Sequence, residues 1–294
     1  MTCNTKLILC AAVLPAISSL AIGGRRLRKN IKMPDPVPRE GIDEVVKTME
    51  SGKLFRYNVA SKEESQVSLV EKEFSDFTGH KFAVGLNSCG SAIFLMLKCA
   101  GAQHGDKVLT NGFTFTAVPS AIVHAGCDPV YVETTPGYVV DVADLEKKMD
   151  ANPDCKYFIV SHMRGKLASM DAIKKLCDAR GVELLEDCAH SLGCDWKGVK
   201  SGSSEHGTVA ACFSAQSNKL INSGEGGFLV TDDEEVAVRA ILCAGSYEYL
   251  YKSHLAAPEN YELFEKLKFE TPNYSLRMHQ ITAAIIEPQL PLLE

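Results

Sequence analysis

The sequence predicts an α/β fold in which a mainly parallel, mixed sheet lies between helices. Three observations predict it. From Lys81 to Glu186, short apolar runs alternate with stretches of helical period, and such alternation builds a parallel sheet covered by helices on both faces. Some of these runs end in polar or acidic residues, at the strand ends where α/β sheets bind ligands. After Asp187 the order breaks into short strand-like pieces, so the sheet is expected to be mixed.

The elements follow in order. Residues 40–50 read as a helix closed by Ser51-Gly52. Glu63 to Phe77 is amphipathic, with Val67, Val70, Phe74 and Phe77 on one face and Gly79 as its stop. Lys81 to Leu86 is a strand, Asn87 to Ser91 a turn, and Ala92 to Ala100 a helix. Strands are then expected at Lys107–Thr110, Pro129–Glu133, Tyr157–Ser161 and Val182–Glu186, with helices at Phe115–Ala125, Val142–Met149 and Met170–Arg180 between them. Strand-like pieces at Cys194–Lys200, Val209–Phe213 and Gly227–Thr231 precede a helix from Asp232 to Cys243. No internal repeat is visible.

The composition suits a globular chain with room for one large domain or two smaller ones: 46% hydrophobic and 23% charged in 294 residues. The net charge of −6 is uneven. The first 34 residues hold six Lys or Arg and no acid, which leaves 25 basic against 37 acidic residues, or −12, for the body. An acidic body argues against a nucleic-acid partner. The 11 cysteines are scattered, with no C-x-x-C and no Cys/His cluster at zinc spacing, so no metal is expected. They read as free thiols of a reducing compartment, the cytoplasm or an organelle interior. Leu7 to Gly24 is uncharged and mostly apolar, between Lys6 and a basic run. It reads as a cleaved signal, an organelle-targeting segment, a marginal anchor weakened by Pro15, or a plain extension. Met33 to Pro38 is a proline-rich linker.

Three polar segments carry the chemistry. In Cys212 to Gly227, CFSAQSNKLINSGEGG, a strand ends in polar residues before Lys219 and a glycine cluster. A lysine held where its charge is poorly solvated supplies a free amine for Schiff-base chemistry; a solvated loop lysine is the plain alternative. In Glu183 to His190, ELLEDCAH, a strand ends in Asp187 with His190 three residues on. A carboxylate there can keep a pyridinium nitrogen protonated, which makes pyridoxal phosphate an electron sink. Asn87 to Ser91 links a strand to a helix, and Gly90 and Ser91 are candidate phosphate contacts at the helix amino end. Neither a dinucleotide fingerprint nor a Walker loop is present. Phe115 lies in GFTFTA, where an aromatic stacks on a planar cofactor or fills the core.

Together NSCGSAIFLML, NGFTFTAVPSAI, SHMRGKLASMDAI, LLEDCAHSLG and FSAQSNKLINSGEGG resemble the DegT/DnrJ/StrS family of fold-type I pyridoxal phosphate aminotransferases. The resemblance covers roughly Ala60 to Leu290 and implies transfer of an amino group from glutamate or glutamine to a keto acceptor, a nucleotide-linked keto sugar. It implies that Lys219 binds pyridoxal phosphate covalently as an internal aldimine, that Asp187 faces the ring nitrogen, and that Gly90, Ser91 and Ser214 contact the phosphate. Phe115 would stack on the ring, and His190 would sit near the phenolic oxygen. Lys219 separates the chain from the dehydratase offshoot, which has histidine there. A homodimer with active sites near its interface is implied too. Arg277 then reaches a neighbouring subunit's site or is a surface residue, and Arg164 is a candidate contact for a substrate carboxylate or phosphate.

Some residues depart from the pattern. Thr208 stands where the family often has aspartate, and Asn273 to Arg277 lengthens a shorter family run. The expected organisation is an N-terminal targeting or anchor-like segment (1–32), a linker with the first helix (33–60), a cofactor-binding large domain (61–275) and the start of a truncated small domain (276–294). Two further readings stand beside the aminotransferase: a catalytically impaired scaffold acting with a full-length homologue, and a different pyridoxal phosphate lyase.

Overall fold

The computed structural model describes residues 34 and 36–293. The targeting or anchor reading of 1–32 lies outside the described residues. Among the described residues, no helix is long and apolar enough to cross a membrane.

Helix α1 (Arg39–Ser51) stops at Gly52, whose φ of +66° favours glycine. The stretch read as one helix from Glu63 divides in two. Ser65 accepts a hydrogen bond from the Ser68 N–H, so α2 (Gln66–Thr78) starts there and leaves Lys62–Glu64 as a 3₁₀ turn. Val67, Val70 and Phe74 of α2 are fully buried.

Strand β1 (Phe82–Leu86) leads into α3 (Cys89–Cys99). Then come β2 (Lys107–Asn111), α4 (Ala117–His124), β3 (Asp128–Val132), α5 (Val142–Ala151), β4 (Tyr157–Ser161), α6 (Met170–Arg180) and β5 (Glu183–Asp187). Next are β6 (Asp195–Trp196), β7 (Val199–Lys200), β8 (Thr208–Ser214), β9 (Gly227–Thr231), α7 (Glu234–Ala244), α8 (Tyr261–Leu267) and α9 (Gln280–Ile286). Other placements also differ from the sequence expectation: α4 begins at Ala117 rather than Phe115, and α8 and α9 have no counterpart in it. Helix α3 begins three residues early because Ser88 caps it, and Cys194–Lys200 contributes a separate two-stranded hairpin.

Seven strands form one sheet in the order β1-β9-β8-β5-β4-β2-β3. Strands β8, β5, β4, β2 and β3 run parallel, and β9 is antiparallel to both of its neighbours. Because side chains alternate along a strand, each strand feeds two cores. Val84, Ile159, Leu185 and Leu229 meet α3 and α7 on one face. Ala83, Phe213 and Phe228 meet α2 and α9 on the other, where Phe158 and Leu184 meet α5 and α6. The same alternation puts Ser161 and Asp187 on the α3 face and His162 and Glu186 behind it.

Behind the sheet, Arg56 and Glu71 are buried as a bidentate pair, 2.6 and 2.7 Å apart. Glu71 also accepts from the Gly85 N–H at 2.8 Å, which ties α2 to β1.

Candidate active site

Strands β4 and β5 end level, with Ser161 beside Asp187, while β8 pairs Cys212 with Asp187 and runs on to Ser214. Asp187 is the last residue of β5 and only 5% exposed. One carboxylate oxygen, Oδ2, accepts from Ser161 Oγ at 2.7 Å. The other, Oδ1, accepts from the Ala189 N–H at 3.1 Å and lies 3.7 Å from Cys212 Sγ. Asn111, at the end of β2, clamps β4: it accepts the Ser161 N–H at 2.8 Å and donates to the Ser161 carbonyl at 3.1 Å.

The amino end of α3 faces the same edge. Ser88 Oγ accepts the Ser91 N–H at 3.1 Å, and the first-turn N–H groups of a helix have no acceptor within it. Gly227 lets β9 pass close beneath: a Cβ there would sit 2.5 Å from Cys89 N and 2.7 Å from Ser88 C. Both contacts are backbone and cannot swing aside.

Lys219 follows β8 on a turn closed by its own N–H donating to the Gln216 carbonyl at 2.8 Å. The return path needs glycine twice, at Gly224 (φ +81°) and Gly226 (φ +154°). Lys219 Nζ lies 2.8 Å from Nε2 of His190. Burial lowers the lysine's pKa, while the nearby Asp187 charge opposes the shift. Burial, then the Lys219 charge, also lowers the pKa of His190.

These residues surround a cavity of about 450 Å³, a size typical of small-molecule sites. Gly90, Phe115, Asp187, His190, Ser214 and Lys219 line it. Phe115 is 63% exposed, so it is not a core residue. Ser91 does not line the cavity; its hydroxyl donates to Asn87 Oδ1 at 2.7 Å. Arg164 is exposed at a φ of +58° and is not part of the lining. Arg277 is likewise outside it, donating to the Gly245 carbonyl at 3.0 Å beside the Phe55 ring.

Sequence reasoning missed Ser88 and Cys89, which line the cavity, and the Asn111–Ser161 support of Asp187. A serine before an apolar helical run signals a cap and could have found Ser88. Nothing in one sequence pairs Asn111 with a residue 50 positions on.

Behind the sheet, Glu186 accepts from His162 Nε2 at 2.7 Å, from the Gly202 N–H at 2.9 Å and from Thr208 Oγ1. Burial raises its pKa, but His162 and the other donors outweigh that and hold it low. His162, Glu186 and Cys188 bring possible metal-ligand atoms within 4.8 Å of one another. The 2.7 Å His162–Glu186 separation is a hydrogen bond, shorter than two ligands about 2 Å from a shared tetrahedral ion would be.

This strand order, with polar groups gathered at the strand ends on the α3 face, defines the cofactor-binding domain of the fold-type I pyridoxal phosphate transferases. The sequence narrows the class: residues 39–294 match the DegT/DnrJ/EryC1/StrS aminotransferase family, and the chain belongs to it. It is 33% identical over 273 residues to the spore coat polysaccharide biosynthesis protein SpsC of Bacillus subtilis, covering 91% of this chain and 66% of that one. It is 32% identical over 228 residues to the L-glutamine:scyllo-inosose aminotransferase of Streptomyces griseus, covering 76% and 52%. The solved structure of Helicobacter pylori PseC, an aminotransferase of pseudoaminic acid biosynthesis, superposes with a TM-score of 0.74 at 21% identity, covering 89% and 65%; at that identity the likeness shows the fold. The chain thus spans half to two thirds of these relatives' lengths.

The family implies pyridoxal phosphate, and the residues fit it. The α3 amino end suits the phosphate, the anionic floor at Asp187 suits a pyridinium nitrogen, and a half-buried amine suits the aldehyde.

Proposed function

We propose that this protein is a pyridoxal phosphate-dependent aminotransferase. The donor is an amino acid, glutamate or glutamine, and the acceptor is a keto compound, a nucleotide-linked keto sugar. The 2.8 Å approach of Lys219 Nζ to His190 Nε2, inside the cavity floored by Asp187, carries this reading. The L-glutamine in the name of the Streptomyces griseus relative supports the donor. The polysaccharide and pseudoaminic acid pathways named for the other two support a sugar acceptor.

Each residue has a part. Backbone N–H groups of Cys89 and Gly90, with Ser214, would bind the phosphate. Asp187 would hold the proton on the ring nitrogen, and Phe115 would cover the ring. Bound there, pyridoxal phosphate supplies an electron sink for charge developing at the donor's α carbon. Lys219 Nζ would anchor the cofactor and, once displaced by the donor, move the proton at that carbon. His190 Nε2 would orient that amine. The assembly is a homodimer in this reading, and the exposed apolar side chains of α1, Ile42, Val46 and Met49, support a buried face there.

The test is a half-reaction. The full chain is loaded with pyridoxal phosphate and mixed with L-glutamate or L-glutamine without an acceptor. Release of the matching keto acid, in proportion to bound cofactor, is expected. A folded, cofactor-loaded protein that releases none is not an aminotransferase for these donors.

A further inference from the structure

We propose that Ser161, clamped by Asn111, is a positioning residue that fixes the Asp187 carboxylate for the ring nitrogen of the bound cofactor. The proposal rests on the pyridoxal phosphate reading above.

The geometry is specific. Ser161, Asp187 and Asn111 are all buried at the ends of adjacent parallel strands. A carboxylate on a strand end can turn about its χ angles, and each turn changes which oxygen faces the ligand. Here Ser161 Oγ holds Oδ2 at 2.7 Å, and the Ala189 N–H holds Oδ1 at 3.1 Å. Hydrogen bonds to an ionised acceptor are among the strong ones, and burial strengthens them further. Ser161 could not aim its hydroxyl if β4 were free to slide. Asn111 prevents that by bonding both the N–H and the carbonyl of Ser161 across β2 and β4. The same Asn111 amide donates to the Phe113 carbonyl at 2.8 Å, two residues before Phe115. One side chain therefore ties the aspartate's support to the loop carrying the candidate stacking ring.

The opposite side of the sheet gives a contrast. Glu186, the next residue back, is buried with its own donors but faces away from the cavity. Support for Asp187 comes from its own side of the sheet, where, among the described residues, Ser161 Oγ at 2.7 Å is the near side-chain donor and Cys212 Sγ lies farther off at 3.7 Å.

The test uses the full chain loaded with pyridoxal phosphate, comparing wild type, Ser161→Ala and Ser161→Thr. In Ser161→Ala the half-reaction rate constant with glutamate is expected to fall about tenfold, because one charge-assisted hydrogen bond is lost, while KM for glutamate stays within about twofold of wild type. The visible circular-dichroism band of the bound cofactor is expected to weaken, since the ring loses its fixed tilt. Ser161→Thr keeps the hydroxyl and is expected to restore both. Thermal melting of each variant without cofactor separates a folding defect from a positioning one. A Ser161→Ala protein with wild-type dichroism and rate overturns the proposal and leaves the aminotransferase reading standing. So does a Ser161→Thr protein that melts like wild type yet rescues neither signal. A wild-type chain that binds no pyridoxal phosphate overturns the reading and the proposal together.

Discussion

Lys219 Nζ and His190 Nε2 are 2.8 Å apart, a hydrogen-bond separation inside the cavity that Asp187 also lines. Two cations at that distance would repel, and burial lowers the proton affinity of both groups. The contact therefore requires that at least one of the two be neutral. The contact holds the Lys219 amine in one place.

Replacing Lys219 by Ala should abolish transfer from glutamate, by about a thousandfold or more, since among the described residues no other lysine lines the cavity. The fold should survive, because the side-chain amine's hydrogen bond is to His190. Single-turnover kinetics and a melting curve check the two halves.

His190 sets an acid limit. Its lowered pKa keeps it neutral at neutral pH, and protonation below that pKa removes the acceptor for Lys219. The half-reaction rate should hold through the ordinary histidine value of about 6.5 and fall only below it, where the lowered pKa lies. His190→Gln, which cannot titrate, should lose that limb. A limb unchanged in His190→Gln would assign it to another group.

Gly227→Ala should weaken cofactor binding and stability together. The new methyl would meet Cys89 N at 2.5 Å and Cys89 Cα at 2.8 Å, so α3 must move. Overpacking of this kind costs about 1–3 kcal/mol. Melting temperature and a pyridoxal phosphate titration read the two effects.

The buried Arg56–Glu71 pair should give stability a pH dependence. Burial alone would raise the Glu71 pKa, but Arg56 and His254 outweigh it and bring the carboxyl down to about 2. A depressed folded pKa contributes stability that is complete above the unfolded value, about 4.5, and is lost as pH falls toward 2. Glu71→Gln strands a buried guanidinium and should cost about 3–5 kcal/mol at neutral pH. Its melting temperature should vary less between pH 5 and pH 3 than that of wild type.

Local pattern made most of the fold legible. The period-2 and period-3.6 runs and the glycine stops at Gly52 and Gly79 place α1, α2 and the strands to within a few residues. Lys219, Asp187 and His190 were legible as strand-end polar groups, and the structure brings them to one cavity. The start of α3 was misplaced because the Ser88 cap brings the first helical turn forward to Cys89. The clamp of Asn111 on Ser161 was invisible because it forms only when two strands far apart in sequence become neighbours. Arg277, read from the resemblance of Asn273–Arg277 to a family run, and Arg164, a candidate anion contact, do not line the cavity.

The most direct test is chemical trapping at Lys219. The full chain is incubated with pyridoxal phosphate, reduced with borohydride, digested and analysed by mass spectrometry. A pyridoxyl group on the peptide carrying Lys219, absent from Lys219→Ala, is the result this account predicts. A folded protein with no adduct, or with the adduct on another lysine, would contradict it.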